Sequence, residues 1–387
     1  MKTDDNIRKS EMNIAIIHHG RPVSGMNTAT AVIVRYFIEQ GYGVKGVKKG
    51  IRSLMKACKS TSPLVVDLRI KDTHGLANKP GSILGTKLSD FRKSKHEFDA
   101  KQLNRTLKSH NIRAIVVMGD NTTIDLLKDL DECRGELENP DMPIIMIPFS
   151  SSNDITGTRF SIGSDTCINQ TVSMIDNLRY NNSGHGKCLN FVVLQGTDSS
   201  YVPLITSIAS GVTRCYTSQD RFELHELCDH ARQYSEESEI ASCGIIICTD
   251  DIDDKSSLSV DNLIAIYQKQ LRGSVSCLRS NLGQFQFGAK PSPFDRKLAT
   301  KLALETCDEI LRLLNVEKSG NGDGKSYRKS RLLAYMNGKG EYLPVDSLKQ
   351  DAMHGSSSFE WWSFLQSLVK ILGDERGDTD YDPEIEY

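Results

Sequence analysis

Short apolar runs alternate with segments whose apolar residues recur every three to four positions, the pattern of parallel strands joined by crossover helices. The first repeat of that pattern is the clearest. Ile14 to Ile17 reads as a buried strand, the stretch from His18 to Ser24 as a turn, and Met26, Ala29, Val32, Ile33, Tyr36 and Phe37 as one face of a helix that stops at Gly41. A second strand, Val44 to Val47, follows at once. Farther along, Ala114-Ile115-Val116-Val117-Met118 is strand-like and opens through Gly119-Asp120-Asn121 into a helix with Ile124, Leu126 and Leu127 apolar. Pro143 to Ile147 predicts the next strand. Ser164 and Asp165 are expected to cap a helix carrying Ile168, Val172, Met174 and Ile175. Asn190 to Leu194 and Gly244 to Cys248 predict strands of a second sheet, with helices near Tyr201 to Ser210 and Val260 to Leu271. From Phe294 to Leu314 one long amphipathic helix uses Leu298, Leu302, Cys307, Ile310 and Leu313.

A chain of 387 residues exceeds the usual size of one domain, so two lobes are expected, each able to bury its own core. Charged residues make up 25% of the sequence and nearly cancel at a formal net charge of −2, which supplies no broad field for nucleic acid or an anionic membrane. Small molecules and other protein chains are the expected partners. The cysteines are scattered, with no C-x-x-C pair and no His cluster at zinc spacing, as in the reduced thiols of a cytosolic protein. Met1 to Glu11 is polar and carries both signs of charge, and no apolar stretch approaches membrane-spanning length. These features predict a cytoplasmic chain that is neither secreted nor anchored, and make the glycosylation pattern Asn121-Thr122-Thr123 accidental. The Gly/Ser/Lys-rich stretch Ser319 to Ser330 reads as an exposed loop, and residues 1–12 and the acidic tail 374–387 as disordered.

Three strand-end turns carry the candidate chemistry. Gly20-Arg21-Pro22-Val23-Ser24-Gly25-Met26-Asn27 lies between a strand and a helix, where unpaired N–H groups and the helix dipole favour an anion. It lacks the G-x-G-x-x-G spacing of a dinucleotide loop, and a purely structural turn stays open as a reading. Met118 to Thr123 is the second turn. The third, Pro148-Phe149-Ser150-Ser151-Ser152-Asn153-Asp154, offers hydroxyls and amides to phosphate or sugar oxygens. All three aim at one side of a sheet, which is where open α/β folds place phosphorylated small molecules. Other motifs read more simply. Gly324-Lys325-Ser326 lacks the first glycine and the strand of a P-loop, the aspartates at Asp250, Asp251, Asp253 and Asp254 lack calcium-loop spacing, and His18 and His19 end a buried strand as packing residues.

The three turns, in this order, resemble phosphofructokinases. The likeness continues through Leu84-Gly85-Thr86-Lys87, Gly157-Thr158-Arg159-Phe160-Ser161-Ile162-Gly163-Ser164-Asp165-Thr166 and Gly288-Ala289-Lys290-Pro291-Ser292-Pro293-Phe294-Asp295-Arg296, and it reaches the Trp361-Trp362 tail. It is greatest to the second, regulatory half of the eukaryotic enzymes, because the first turn reads Gly-x-Pro-x-x-Gly-Met-Asn and Trp361-Trp362 precedes Leu365, Leu368 and Ile371 as in their terminal helix. The resemblance implies a two-lobed α/β fold with parallel-rich sheets flanked by helices and a cleft between lobes. The first lobe is expected at 13–156 plus 282–373 with the C-terminal helices, and the second at 157–281.

Phosphoryl transfer to a sugar hydroxyl needs a carboxylate to take the proton beside the γ-phosphate and its magnesium. The family's catalytic loop, Thr-Ile-Asp-Asn-Asp, aligns with Ser150-Ser151-Ser152-Asn153-Asp154, so Ser152 stands at the degenerate base position and Asp154 at the second Asp. Gly-Gly-Asp-Gly becomes Met118-Gly119-Asp120-Asn121, leaving Asp120 as the one implied magnesium ligand. The sugar-side motifs appear as Gln195-Gly196-Thr197 and Gln284-Phe285-Gln286-Phe287, and arginines that fork a phosphate are missing at Leu88 and near Gly355, with Arg159, Lys87 and Lys187 left to compensate. The effector or phosphate site implied by resemblance is therefore Gly20, Gly25, Asn27, Lys87, Ser150, Ser151, Ser152, Asn153, Gln195, Gly196, Thr197, Gln284 and Gln286. Three readings follow. The chain is a noncatalytic regulatory partner of a catalytic phosphofructokinase chain or a homo-oligomer, binding a sugar phosphate or nucleotide. It is a divergent active kinase using magnesium with ATP and Asp154 or Asp120, or it is a structural subunit with no ligand.

Overall fold

In the computed structural model the described residues are 11–57, 60, 62–86, 98–182, 187–195, 199–217, 223–237, 243–250, 259–319, 329–348 and 360–373. They divide into two compact units, one within Met1–Thr166 and Phe287–Ser358, the other within Cys167–Gln286 and Phe359–Tyr387. The residues expected to sit in one first lobe, 282–373, are thus split between the two.

The first unit is built on a sheet in the order β12-β11-β5-β4-β1-β2-β3. Its strands are β1 (Asn13–His18), β2 (Gly43–Val47), β3 (Val65–Asp67), β4 (Ile112–Gly119), β5 (Ile144–Ser150), β11 (Arg331–Met336) and β12 (Lys339–Pro344), with the short β6 (Ile162–Gly163) beside β5. Neighbours run parallel except at the edges, where β3 and β12 turn antiparallel. The helices of this unit are α1 (Met26–Glu39), α2 (Ala100–Ser109), α3 (Asn121–Glu132), the first turn of α4 (Ser164–Asn182) and α8 (Pro293–Ser319).

The central strands read as unbroken apolar runs because both their faces are covered. Ile14, Ile16, Val116, Met118, Ile145 and Ile147 face α1 and α8, packing with Met26, Ile33, Phe37, Leu298, Leu302 and Ile310. Ala15, Ile17, Ile115, Val117, Ile144 and Met146 face α2 and α3, packing with Leu103, Leu107, Ile124 and Leu127. Strand β5 runs past its expected end at Ile147: Phe149 and Ser150 register with Ile162 and Gly163 of β6, so Pro148 to Ser150 belong to the strand.

Helix α4 begins at Ser164 as expected, but its cap comes from far away in the sequence. Ser164 Oγ donates to Ser161 O, and the Asp165 carboxylate accepts from Ser292 Oγ. The first-turn N–H of Thr166 donates to Asp295 Oδ2 at 2.8 Å, while Gly163 N–H donates to Asp295 Oδ1 at 2.9 Å. Asp295 sits in the first turn of α8, whose Ser292 accepts the Asp295 N–H in a capping contact. One buried carboxylate thus joins the starts of two helices.

The second unit holds a four-stranded parallel sheet, β10-β7-β9-β8, made of β7 (Cys188–Leu194), β8 (Arg214–Tyr216), β9 (Cys243–Thr249) and β10 (Ser276–Gly283). Its helices are the rest of α4, α5 (Tyr201–Ser210), α6 (Leu224–Glu237), α7 (Val260–Leu271) and α9 (Glu360–Gly373). Leu227, Ala231, Leu263 and Tyr267 cover one face, against Phe191 and Ile246. Helix α9 packs on α5 and β8, with Leu365 and Val369 buried, which is why the C-terminal helix falls in this unit instead of the first. Among the described residues, no helix is long and apolar enough to cross a membrane.

Candidate functional site

Three strands of the first unit, β1, β4 and β5, end side by side, and the turns that follow them form one hydrogen-bonded chain. The first turn leaves β1 at His18, whose Nε2 lies 2.8 Å from Thr30 Oγ1 and whose Nδ1 lies 2.6 Å from Ser82 Oγ. Thr30 gives its only proton to Met26 O, so Nε2 must carry the hydrogen and Nδ1 must accept from Ser82. Full burial favours that neutral ring and pushes the His18 pKa down to about 3. His18 is a packing residue, as its place in the sequence predicts.

Gly20 takes a positive φ of 78°, and a side chain there would overlap the Asp120 carboxylate. Asp120 is the N-cap of α3: Oδ1 accepts from Thr122 N–H at 3.1 Å and from the Thr122 hydroxyl, and Oδ2 accepts from Arg21 N–H at 3.4 Å. The carboxylate therefore links the first turn to the second. Asn121 links the second to the third, donating from Nδ2 to Asp154 O at 2.7 Å and accepting at Oδ1 from Thr156 N–H at 3.1 Å. In the third turn Ser150 Oγ donates to the Asp154 carboxylate and accepts from Ser152 N–H at 3.1 Å. Asn153 adopts φ 54° and fixes the turn by donating to Arg159 O and accepting from Ser161 N–H at 2.7 Å.

Several residues expected to meet a ligand spend their polar atoms inside the fold. Asn27 is 1% exposed; its Nδ2 donates to Lys79 O and Pro80 O, and its Oδ1 accepts from Ile83 N–H at 2.8 Å. Gly25 takes φ 103°, and a Cβ there would fall 2.6 Å from Ile162 Cγ2. Its missing side chain makes room for the core at this point. Ser151, Ser152 and Asp154 remain on the loop, with Ser152 buried to 7% exposure.

In the second unit Gln195 N–H donates to Gln286 Oε1 at 3.2 Å, while Gln284 is exposed. Lys87, Leu88, Gly196, Thr197, Gly355 and Gly324-Lys325-Ser326 lie outside the described residues, as does most of the loop expected from Ser319 to Ser330. Ser330 itself is buried: its N–H and hydroxyl both donate to Asp131 at 2.8 Å.

Among the described residues, no three His, Cys, Asp or Glu side chains gather as a metal site. Both Asp120 oxygens already accept N–H groups. What the turns offer is ordered backbone and serine hydroxyls. Sequence reasoning missed Asn121, Ser161 and Asp295 as organisers of this region. For Asp295 a signal existed, since Ser292-Pro293-x-Asp295 is a capping pattern with proline at the first helical position.

A family model for phosphofructokinase matches residues 13–310. The chain is 28% identical over 385 residues to the platelet-type ATP-dependent 6-phosphofructokinase of Oryctolagus cuniculus, covering 98% of this chain and 46% of that protein. It is 27% identical over 377 residues to ATP-dependent 6-phosphofructokinase 1 of Caenorhabditis elegans, covering 96% and 45%. The chain thus spans about half the length of the curated relatives it matches. Phosphofructokinase from Saccharomyces cerevisiae superposes with a TM-score of 0.79 at 20% identity, over 93% of this chain and 47% of that one. The pyrophosphate-dependent enzyme of Nitrosospira multiformis superposes with a TM-score of 0.67 at 11% identity, over 93% and 92%. These likenesses agree with the mixed α/β fold and its parallel-rich sheets, and with 298 of the 387 residues inside the family match (310 − 13 + 1), the chain belongs to the phosphofructokinase family.

Proposed function

We propose that this chain is a regulatory, noncatalytic member of glycolytic 6-phosphofructokinase, working in the cytoplasm with a catalytic phosphofructokinase chain or as a homo-oligomer. In this reading the turns around Gly20 and Ser150 to Asp154 hold a sugar phosphate or nucleotide effector through backbone N–H groups and serine hydroxyls. The observation that carries the reading is Ser152. By family resemblance it occupies the place of the proton-accepting carboxylate, and a serine hydroxyl does not ionise near neutrality. Asp154, the remaining carboxylate of the loop, accepts the Ser150 hydroxyl instead of standing open to a substrate proton.

The test is a coupled assay of the full chain with fructose 6-phosphate, ATP and magnesium, run beside a thermal melt with sugar phosphates and nucleotides. No turnover is expected, since loss of a general base removes a factor of about 10²–10⁴. Turnover that disappears in Asp154→Asn would establish the active-kinase alternative. An effector at a hundred times its dissociation constant adds about 2.7 kcal/mol of stability, a shift easily seen in the melt. No shift with any of these ligands would leave a structural subunit.

A further inference from the structure

At the opposite end of β4 from the candidate site lies a cavity of about 240 Å³, lined by Asn104, Leu107 and Lys108 of α2, by Ile112 and Arg113 where β4 begins, and by Glu138, Asn139 and Met142 on the approach to β5. Strand β4 spans eight residues from this end to Gly119, about 20–25 Å. The cavity and the strand-end turns are separate sites.

The floor is apolar, because Leu107, Ile112 and Met142 are buried. The rim is polar and fixed. Asn104 donates from Nδ2 to Glu136 O and accepts at Oδ1 from Glu138 N–H, both at 3.0 Å, which holds one wall against α2. Asn111, at φ 43°, donates to Glu11 O at 2.6 Å and accepts from Arg113 Nε at 3.2 Å. That contact orients the guanidinium while its two terminal NH₂ groups keep no partner among the described residues. Lys108 Nζ and Glu138 Oε1 stand 3.4 Å apart, both well exposed, a pair of the kind that contributes little. Two cations and one carboxylate leave the cavity with a charge of +1.

We propose that this cavity binds a small metabolite with an apolar body and one oxyanion group, a carboxylate or a phosphate, gripped by Arg113 with Lys108 at the mouth. The guanidinium fork matches either anion, and its orientation is set before a ligand arrives. Size limits the ligand. At about 240 Å³ the cavity lies below the range of drug-sized pockets and suits a small molecule.

Isothermal titration of the full chain tests this with four probes: benzoate, phenyl phosphate, inorganic phosphate and benzyl alcohol. Benzoate or phenyl phosphate is expected to saturate in the millimolar range, and the tighter of the two identifies the anion. Inorganic phosphate should bind more weakly for want of the apolar floor, and benzyl alcohol not at all. Arg113→Met should weaken binding about tenfold or more with an unchanged melting temperature, because a hydrogen bond to a charged group is lost. Arg113→Gln, which can still reach Asn111, should weaken it similarly and serves if the methionine variant misfolds. The proposal fails if neither aromatic anion binds, if benzyl alcohol binds as well as they do, or if both Arg113 variants bind with wild-type affinity.

Discussion

Replacing His18 and His19 together by glutamine is expected to flatten the loss of stability between pH 7 and pH 5. His18 ends β1 and His19 follows it, both inside the fold at 0% and 2% exposure. Burial pushes the His18 pKa from 6.5 to about 3 and the His19 pKa to about 4, the latter with Asp120 raising and Arg52 lowering it by smaller amounts. In the unfolded chain each ring takes up a proton near 6.5, whereas in the folded chain it stays neutral. Stability is therefore complete above 6.5, falls as the pH drops below it, and stops falling only near the folded values. The slope is about 1.4 kcal/mol per pH unit for each ring, so from pH 7 to pH 5 each costs about 2 kcal/mol and the pair about 4. Urea unfolding followed by far-UV circular dichroism at pH 7, 6 and 5 measures it directly. Carboxylates elsewhere contribute equally to wild type and variant, so the difference between the two curves isolates the histidines. A double variant that loses stability as steeply as the wild type would refute the reasoning, and His18→Gln alone should remove about half of the effect.

Asp295→Asn is expected to cost about 2–4 kcal/mol in the same unfolding assay, because an amide cannot accept from Gly163 N–H, Thr166 N–H and the Thr166 hydroxyl at once and leaves a buried donor unpaired. Arg134→Met should cost about 3 kcal/mol, the low end for breaking a buried ion pair, since Asp131 keeps both Ser330 donors after the guanidinium that also binds Pro140 O and Met142 O is gone; a change under 1 kcal/mol would show that the Arg134–Asp131 pair contributes little. Gly25→Val should destabilise the fold with or without ligand, by about 1–3 kcal/mol for the backbone at φ 103° plus the overlap with Ile162, and a variant melting like the wild type would overturn that.

The sheet of the first unit was legible because strands covered on both faces are written as uninterrupted apolar runs, and each central strand could be placed to within a few residues. Elements that lack that signature were harder to see. Strand β10 has no fully buried residue, is exposed along half its length and carries Ser276, Arg279, Ser280 and Asn281, so nothing in its polarity marks it as a strand. The β11–β12 hairpin did leave a mark, Asn337-Gly338, a dipeptide suited to the two positive φ angles of 47° and 83° that it adopts. Its importance was hidden by the long loop expected before it. The three turns singled out by residue type do meet in the fold, but the sequence does not show what their side chains do there, because the partners are remote. Asp120 meets Arg21 from 99 positions away, and Asp295 meets Thr166 from 129.

The way those polar groups are spent bears on how the three turns keep their shape. An active phosphate site needs donors held open toward the ligand, which leaves them unsatisfied when it is empty and makes the turn dependent on a rigid surround. Here the chain supplies its own partners. Asp120 accepts N–H groups from two turns, Asn121 bridges to the third, and Asn27 and Asn153 hold the loops behind them. Each contact is local in energy, of the order of 0.5–1.5 kcal/mol for a neutral hydrogen bond, yet together they fix three strand ends without any ligand. That architecture does not call on a carboxylate at position 152, because Ser152 meets Ser150 Oγ through its backbone N–H. A phosphate brought to these turns would meet only the backbone donors left after this internal pairing, against the repulsion of the carboxylates of Asp120 and Asp154.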